Sequence, residues 1–176
     1  MPIRYLACVL GRLGSLLLAL SLIGSCGTAD PASPSLGTTR TRTTDGMVMV
    51  YVPGGTFPMG STEDDPEATL DELPQHMVTL DGFWIDQTEV TNAQFVQFLN
   101  EHGNSGPQQA QMIALDKGYT QLSQVGDQFV TTDAALDSPV LMATWHGAAS
   151  YCQWAGGRLP TCLLYTSDAA DECPAV

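Results

Sequence analysis

Glycine and proline punctuate this sequence so densely, 17 and 11 among 176 residues, that long uninterrupted helices are excluded. Each supplies or fixes a backbone angle that regular structure avoids, so the chain is read as a loop-rich fold of short elements rather than a helical bundle. Disorder is excluded too, because 44% of the residues are hydrophobic and only 14% charged. The length corresponds to about one to one and a half domains at ~100–200 residues each. Nineteen acids against six cations give a formal charge of −13. A surface of that sign has no electrostatic footprint for nucleic acid, which removes that class of partner.

The first 25 residues read as an address. Arg4 and Arg12 flank Leu13–Gly24, an apolar run of 12 residues. That is short of the ~20 needed to span a bilayer as a helix, and it has the form of a secretory signal. The run closes on Leu22-Ile23-Gly24-Ser25-Cys26, which resembles a bacterial lipobox. The resemblance implies cleavage before Cys26 and lipid attachment there, with the membrane as a partner through the anchor and an extracytoplasmic location, periplasm or cell surface. The alternative is ordinary signal cleavage beside an incidental cysteine. In either case Cys8 departs with residues 1–25 and needs no role. Residues 26–45 are dominated by Ser, Thr, Pro and Gly, with Leu36 the one large apolar group. Such a segment is expected to be a flexible tether, with Arg40 and Arg42 as solvated charges.

Between residues 46 and 161 the signals are those of a globular unit. Met47–Val52 is rich in β-branched residues and closes on Pro53-Gly54-Gly55, a strand followed by a turn. Thr56–Gly60 resumes an extended segment that Pro58 marks as an edge. Ser61–Leu73 holds six acids and reads as an exposed loop without the spacing of a calcium site. His76–Leu80 and Phe83–Ile85 are short apolar runs split by Asp81-Gly82, a hairpin or turn signal.

Two helices are better specified. Thr91-Asn-Ala-Gln94 is a capping box, Val90 and Phe95 are placed for a hydrophobic staple, and Phe95, Val96, Phe98 and Leu99 form the apolar stripe that ends at Gly103. A second helix starts from Thr144 and carries Trp145, Ala148, Ala149, Cys152 and Ala155 on one face until Gly156-Gly157. Between the helices, a short helix at Gln108–Leu115 and a short strand at Gln128–Thr131 are expected. Trp84, Trp145 and Trp154 are read as core anchors. His76, His102 and His146 lack metal-ligand spacing, and no nucleophile elbow or phosphate loop occurs, so no catalytic and no metal-binding residue is assigned.

The ordered set Met49–Phe57 (MVYVPGGTF), Met59-Gly60, Asp71-Glu72-Leu-Pro74-Gln-His76, Phe83-Trp84-Ile85, Glu89-Val90-Thr91-Asn92, Trp145 and Tyr151-Cys152-Gln-Trp154-Ala-Gly156-Gly-Arg158-Leu-Pro-Thr161 resembles the N-terminal half of the formylglycine-generating enzyme, or sulfatase-modifying factor, family. The resemblance implies an α+β, loop-rich fold related to C-type lectins, present here in part. Residues 162–176 resemble instead a translated sequencing adapter, an artefactual tail, the alternative being a divergent natural end.

Gly147 stands where the family more often has an acid, which removes a capping-box partner and places a poor helix former inside the helix. Family members that are enzymes use copper and O₂ to oxidise a sulfatase cysteine to formylglycine, through two cysteines that lie beyond Thr161 in the family pattern. Copper and sulfatase polypeptides are therefore implied for a full-length enzyme, while the chain itself is expected to be inactive and marginally folded. Cys152 occupies a position that in some relatives forms a disulfide to the other half, and is read here as a buried structural thiol. Two alternatives stand beside the oxidase: a non-catalytic lipoprotein that uses the fold for binding or assembly, with Ser61–Leu73 as its contact surface, and a domain of a sulfoxide synthase.

Overall fold

The computed structural model describes residues 6–10, 34–106 and 110–161. The expected anchor at Cys26, the apolar run Leu13–Gly24 and the tail 162–176 lie outside them. In chain order the elements are β1 (Val9–Leu10), β2 (Thr39–Thr41), β3 (Val48–Val52), β4 (Gly55–Met59), β5 (His76–Leu80), β6 (Phe83–Asp86), α1 (Asn92–His102), β7 (Leu122–Val125), β8 (Gln128–Thr131) and α2 (Trp145–Trp154), with 3₁₀ turns at Leu70–Glu72 and Asp133–Ala135. The mixture is α+β and loop-rich, as the glycine and proline content requires.

The main sheet has the order β1-β6-β3-β2, and each of its pairings is antiparallel. Val50 is central to it, opposite Thr39 on one side and Ile85 on the other. Alternation then sends Met47, Met49 and Tyr51 inward, where all three are buried. β4 pairs with β5 from Gly55↔Leu80 to Met59↔His76, a two-stranded ladder that tolerates Pro58 as an edge residue. Because β5 and β6 belong to different sheets, Asp81-Gly82 is a turn between sheets and not a hairpin. Gly54 is required where the two turns cross. A Cβ there would stand 2.8 Å from the Leu80 carbonyl oxygen and 2.9 Å from the Gly82 nitrogen.

α1 forms as its sequence dictates. Thr91 accepts from the Gln94 N–H at 3.3 Å, and Gln94 Oε1 accepts from the Thr91 N–H at 2.9 Å. Phe95, Phe98 and Leu99 are buried, and Gly103 at φ 76° stops the helix by donating to the Leu99 carbonyl. α2 is capped by Thr144, which accepts from the Gly147 N–H at 3.0 Å. Its buried face is turned from the expected one. Gly147, Ala148, Tyr151, Cys152 and Ala155 face inward, while Trp145 is 59% exposed and is not a core anchor. Tyr151 stacks on Phe95 at 5.6 Å and meets Phe98 edge-on at 5.7 Å, joining the two helices.

Three further expectations are corrected. The tether reading of residues 26–45 fails from Thr39 onward, because Thr39–Thr41 is a strand and Arg42 and Asp45 are buried. Threonine favours strands without raising hydrophobicity, so composition hid the element. Arg40 is exposed, as read, with its guanidinium 4.2 Å over the Trp84 ring. Gln108–Leu115 is no helix where it is described, at 110–115. There Asn104 holds the chain instead, accepting from the Met112 and Ile113 N–H groups and donating to the Ile113 carbonyl, a side-chain competitor to helical bonding. Finally, Leu6–Leu10 does not stand apart as part of a leader. Val9 pairs with Ile85 in β6 on one side and with Arg158 on the other. The strand at Gln128–Thr131 is present, with Leu122–Val125 as its partner.

Gly147 packs directly on the backbone of Met112, and an added Cβ would overlap the Met112 carbonyl. Helix propensity alone would make Gly147→Ala stabilising by about 1 kcal/mol. We expect the opposite sign, a loss of about 1–3 kcal/mol from overpacking against backbone that cannot move aside. Urea denaturation of the variant beside the parent measures it.

Candidate functional site

The polar centre of the described structure is an ion cluster that the sequence reading did not find. Arg42, just past β2, presents its guanidinium to two carboxylates. Nε and Nη2 donate to the two oxygens of Asp45 at 2.8 and 2.6 Å, and Nη1 donates to Asp86 Oδ1 at 2.8 Å. Asp45 also accepts from the Tyr151 hydroxyl at 2.5 Å and from the Met47 N–H at 3.1 Å. Asp86, at the end of β6, accepts from the Cys8 N–H at 2.8 Å. All three charged residues are buried. The one signal in the sequence was spacing: Asp45 follows Arg42 by three, and Asp86 follows the apolar run Phe83–Ile85, where alternation places it on one face with Trp84.

Electrostatics separates the two acids. Burial opposes ionisation of Asp45, but bonds from Arg42, Tyr151 and Met47 outweigh it and hold its pKa below the usual carboxylate range. For Asp86 burial dominates, Arg42 and the Cys8 N–H offset it only in part, Asp45 adds a like charge, and the pKa is raised. Burial works against the Arg42 cation as well, yet its two acid partners raise its pKa. Burial followed by the Asp45 contact pushes the Tyr151 phenol far up, so it stays a donor. With both Asp45 oxygens taken by donors, the cluster fixes β2, β3, β6 and α2 relative to one another. It is built to hold charge, not to pass protons.

Beside it, Cys8 and Cys152 form a disulfide with a Cα–Cα distance of 5.3 Å. This corrects both cysteine readings: Cys8 has a place in the core, and Cys152 is no free thiol. The partner is local to this chain's N-terminal segment, which the sequence reading had assigned to a removed leader. Cleavage before Cys26 would leave β1 joined to the rest of the molecule through this bond alone.

A copper site of the thiolate type does not fit these residues, because the two described cysteines are bonded to each other. Among the described residues no group of three or more His, Cys, Asp or Glu is placed to hold a metal ion. Of the histidines, His76 on β5 and His146 near the start of α2 are exposed. His102 lines an open cavity of about 360 Å³ with Phe98, Met112, Ser150, Gln153 and Trp154. Its ring stacks on Phe98 at 5.1 Å, and Nδ1 lies 3.3 Å from the Phe98 carbonyl. A carbonyl only accepts, so Nδ1 carries the proton and a neutral His102 keeps its Nε2 lone pair free. Trp154 closes one wall, its indole N–H donating to Glu101 at 2.8 Å. Arg158 is exposed and donates to the Leu159 carbonyl.

With that geometry in view, the class is a mixed α+β unit of short sheets pinned to two capped helices. The sequence matches the family described as "Sulfatase-modifying factor enzyme 1-like domain" over residues 34–169, and the chain belongs to that family. It is similar to the formylglycine-generating enzyme of Bos taurus, 32% identical over an alignment of 188 positions that covers 81% of this chain and 50% of that protein. It is also similar to the serine/threonine-protein kinase Pkn1 of Chlamydia trachomatis, at 35% identity over 64% of this chain and 18% of the kinase. Hercynine oxygenase of Mycolicibacterium smegmatis matches at 31% identity, over 64% of this chain and 29% of that protein. Among solved structures, PvdO from Pseudomonas aeruginosa aligns with a TM-score of 0.46 and 21% identity, covering 69% of this chain and 44% of that one. The chain thus spans half or less of each of these relatives.

Replacing Arg42 by Met leaves two carboxylates buried without their cation, which costs about 3–5 kcal/mol at neutral pH. The sign with pH follows from linkage. In the parent, the depressed Asp45 pKa contributes stability that is present above its unfolded value and lost as pH falls through the folded one. The raised Asp86 pKa contributes in the opposite sense, fully below its unfolded value and lost as pH rises through the folded one. In Arg42→Met both carboxylates are raised, so the deficit shrinks as they protonate. Denaturant midpoints of the two proteins at neutral pH and at about pH 4 are expected to converge on the acid side. A deficit that stays constant or grows refutes the cluster as drawn.

Proposed function

We propose that this chain is one part of a formylglycine-generating oxidase of the sulfatase-modifying factor type, exported and held at the membrane as a lipoprotein through Cys26. In this reading it supplies the scaffold and not the catalytic thiols. The observation that carries the reading is the family match over residues 34–169. The fold is the family's, and neither of the two described cysteines is free while the Cys8–Cys152 bond is closed. The substrate in this reading is a sulfatase polypeptide still extended around its cysteine; copper, with O₂ as the oxidant, would be held by residues outside those described. The lipobox-like Leu22–Cys26 and the apolar run before it support the location and the anchor.

The second reading, a non-catalytic binding or assembly lipoprotein, is favoured by the range of the relatives. Proteins named as kinases and as a hercynine oxygenase each match 64% of this chain, so similar sequence also occurs within proteins of other names. The surface it would use is Ser61–Leu73. That loop is acidic and exposed, is fastened at its ends by Ser61 donating to Glu72 at 2.6 Å, and presents Leu70 91% exposed.

One experiment separates the readings. The parent protein encoded by the uninterrupted gene and this 176-residue chain are each incubated with Cu(II), O₂ and a cysteine-bearing sulfatase-motif peptide, and the aldehyde is read by mass spectrometry. The oxidase reading expects product from the parent protein and none from the chain. Aldehyde made by the chain refutes the scaffold assignment, and no aldehyde from either favours the binding module.

A further inference from the structure

The two-residue strand β1 is bonded on both sides. Val9 donates to the Arg158 carbonyl at 2.8 Å and accepts from the Arg158 N–H at 2.9 Å. On the other side the Cys8 carbonyl accepts from the Asp86 N–H at 3.1 Å, and the Leu6 carbonyl accepts from the Val90 N–H at 2.8 Å. Leu6, Cys8 and Val9 are at most 2% exposed. The segment therefore fills a slot, with β6 and Val90 along one side and Arg158 along the other. So few residues hold a strand weakly by ladder bonds alone. What fastens it is covalent, the bond from Cys8 to Cys152 on α2.

Leu6 and Cys8 pack in the core, but the remainder has backbone pairing and polar contacts of its own. β2, β3 and β6 pair with one another through their own registers. Arg42, Asp45 and Tyr151 bond to one another and to Asp86 without β1, whose only contribution to the cluster is the Cys8 N–H.

We propose that Leu6–Leu10 is a displaceable strand latched by the Cys8–Cys152 disulfide, and that opening this bond releases it and uncovers a strand-acceptor slot while the rest of the sheet and both helices persist. Opening is a two-electron reduction by a dithiol. One thiolate of the reductant attacks a sulfur of the Cys8–Cys152 bond to give a mixed disulfide. The second then closes the reductant's own disulfide, leaving Cys8 and Cys152 as thiols. The slot left behind offers the Asp86, Val90 and Arg158 N–H groups and the Arg158 carbonyl beside a free Cys152 thiol. Those groups suit an extended segment carrying a cysteine among apolar residues, as Leu6-Ala7-Cys8-Val9-Leu10 does. Cleavage before Cys26 would leave the strand held by this disulfide alone, so that reduction frees it completely.

Hydrogen exchange on the full 176-residue chain, oxidised and then reduced with dithiothreitol, tests this. Reduction is expected to speed exchange at the Asp86, Val90 and Arg158 amides at least ten-fold. The Tyr51 amide, which donates to Thr38, and the Ala155 amide, which donates to Tyr151, should stay unchanged. The variant Cys8→Ser should show the reduced pattern without reductant, which isolates this bond from the other cysteines. Parallel loss of protection at Tyr51 and Ala155 would show that the strand is integral to the core and overturn the proposal. Unchanged exchange at all five amides would overturn it too.

Discussion

The fold turns on a cation buried between two acids. Arg42 is the one described basic residue in the interior, and each of its contacts reaches a different part of the chain: Asp45 in the turn before β3 and Asp86 at the end of β6, with Tyr151 of α2 joined through Asp45. Hydrophobic burial alone would bring these elements together without fixing their angles. A bidentate fork does fix them, because a guanidinium and a carboxylate meet well in one plane only. Removing Arg42 leaves two buried carboxylates without a cation, and removing either acid leaves Arg42 donors unpaired.

The same cluster explains why composition misjudged where the domain begins. A stretch of Thr, Ser, Pro and Gly has too little apolar surface to order itself, and for residues 26–38 the sequence offers no more than that. From Thr39 on, order comes from pairing with the nearby β3 and from Arg42, whose second acid, Asp86, lies 44 residues away. No local pattern announces them. Capping chemistry is local by contrast, and so both helix starts, at Thr91 and Thr144, were legible to the residue. Strands bounded by glycine and proline were legible for the same reason.

The burial of α2 was read with the wrong rotation. Size and hydrophobicity put Trp145 inward, yet the helix turns its smallest residue toward the core. Gly147 lets the Met112 backbone come within reach, and that approach brings Tyr151 onto Phe95 and its hydroxyl onto Asp45. A close backbone contact outranks a large side chain here because it sets the distance at which every other contact on that face is made. Such a contact is tertiary, and a helical wheel does not contain it.

Almost nothing of the candidate site was legible beforehand, since the residues that matter are polar groups scattered from Cys8 to Tyr151. What they share is saturation. The Asp45 oxygens accept from Arg42, Tyr151 and Met47, Asp86 accepts from Arg42 and Cys8, and the two described thiols are spent on each other. A group with every bond satisfied in a rigid shell positions its neighbours well and reacts poorly, because reaction requires a lone pair or proton that is free to move. His102 is the exception, with an uncommitted Nε2 beside an open aromatic cavity. The described core of this sulfatase-modifying factor family member is therefore organised for rigidity, with the pair that closes β1 onto α2 spent on structure.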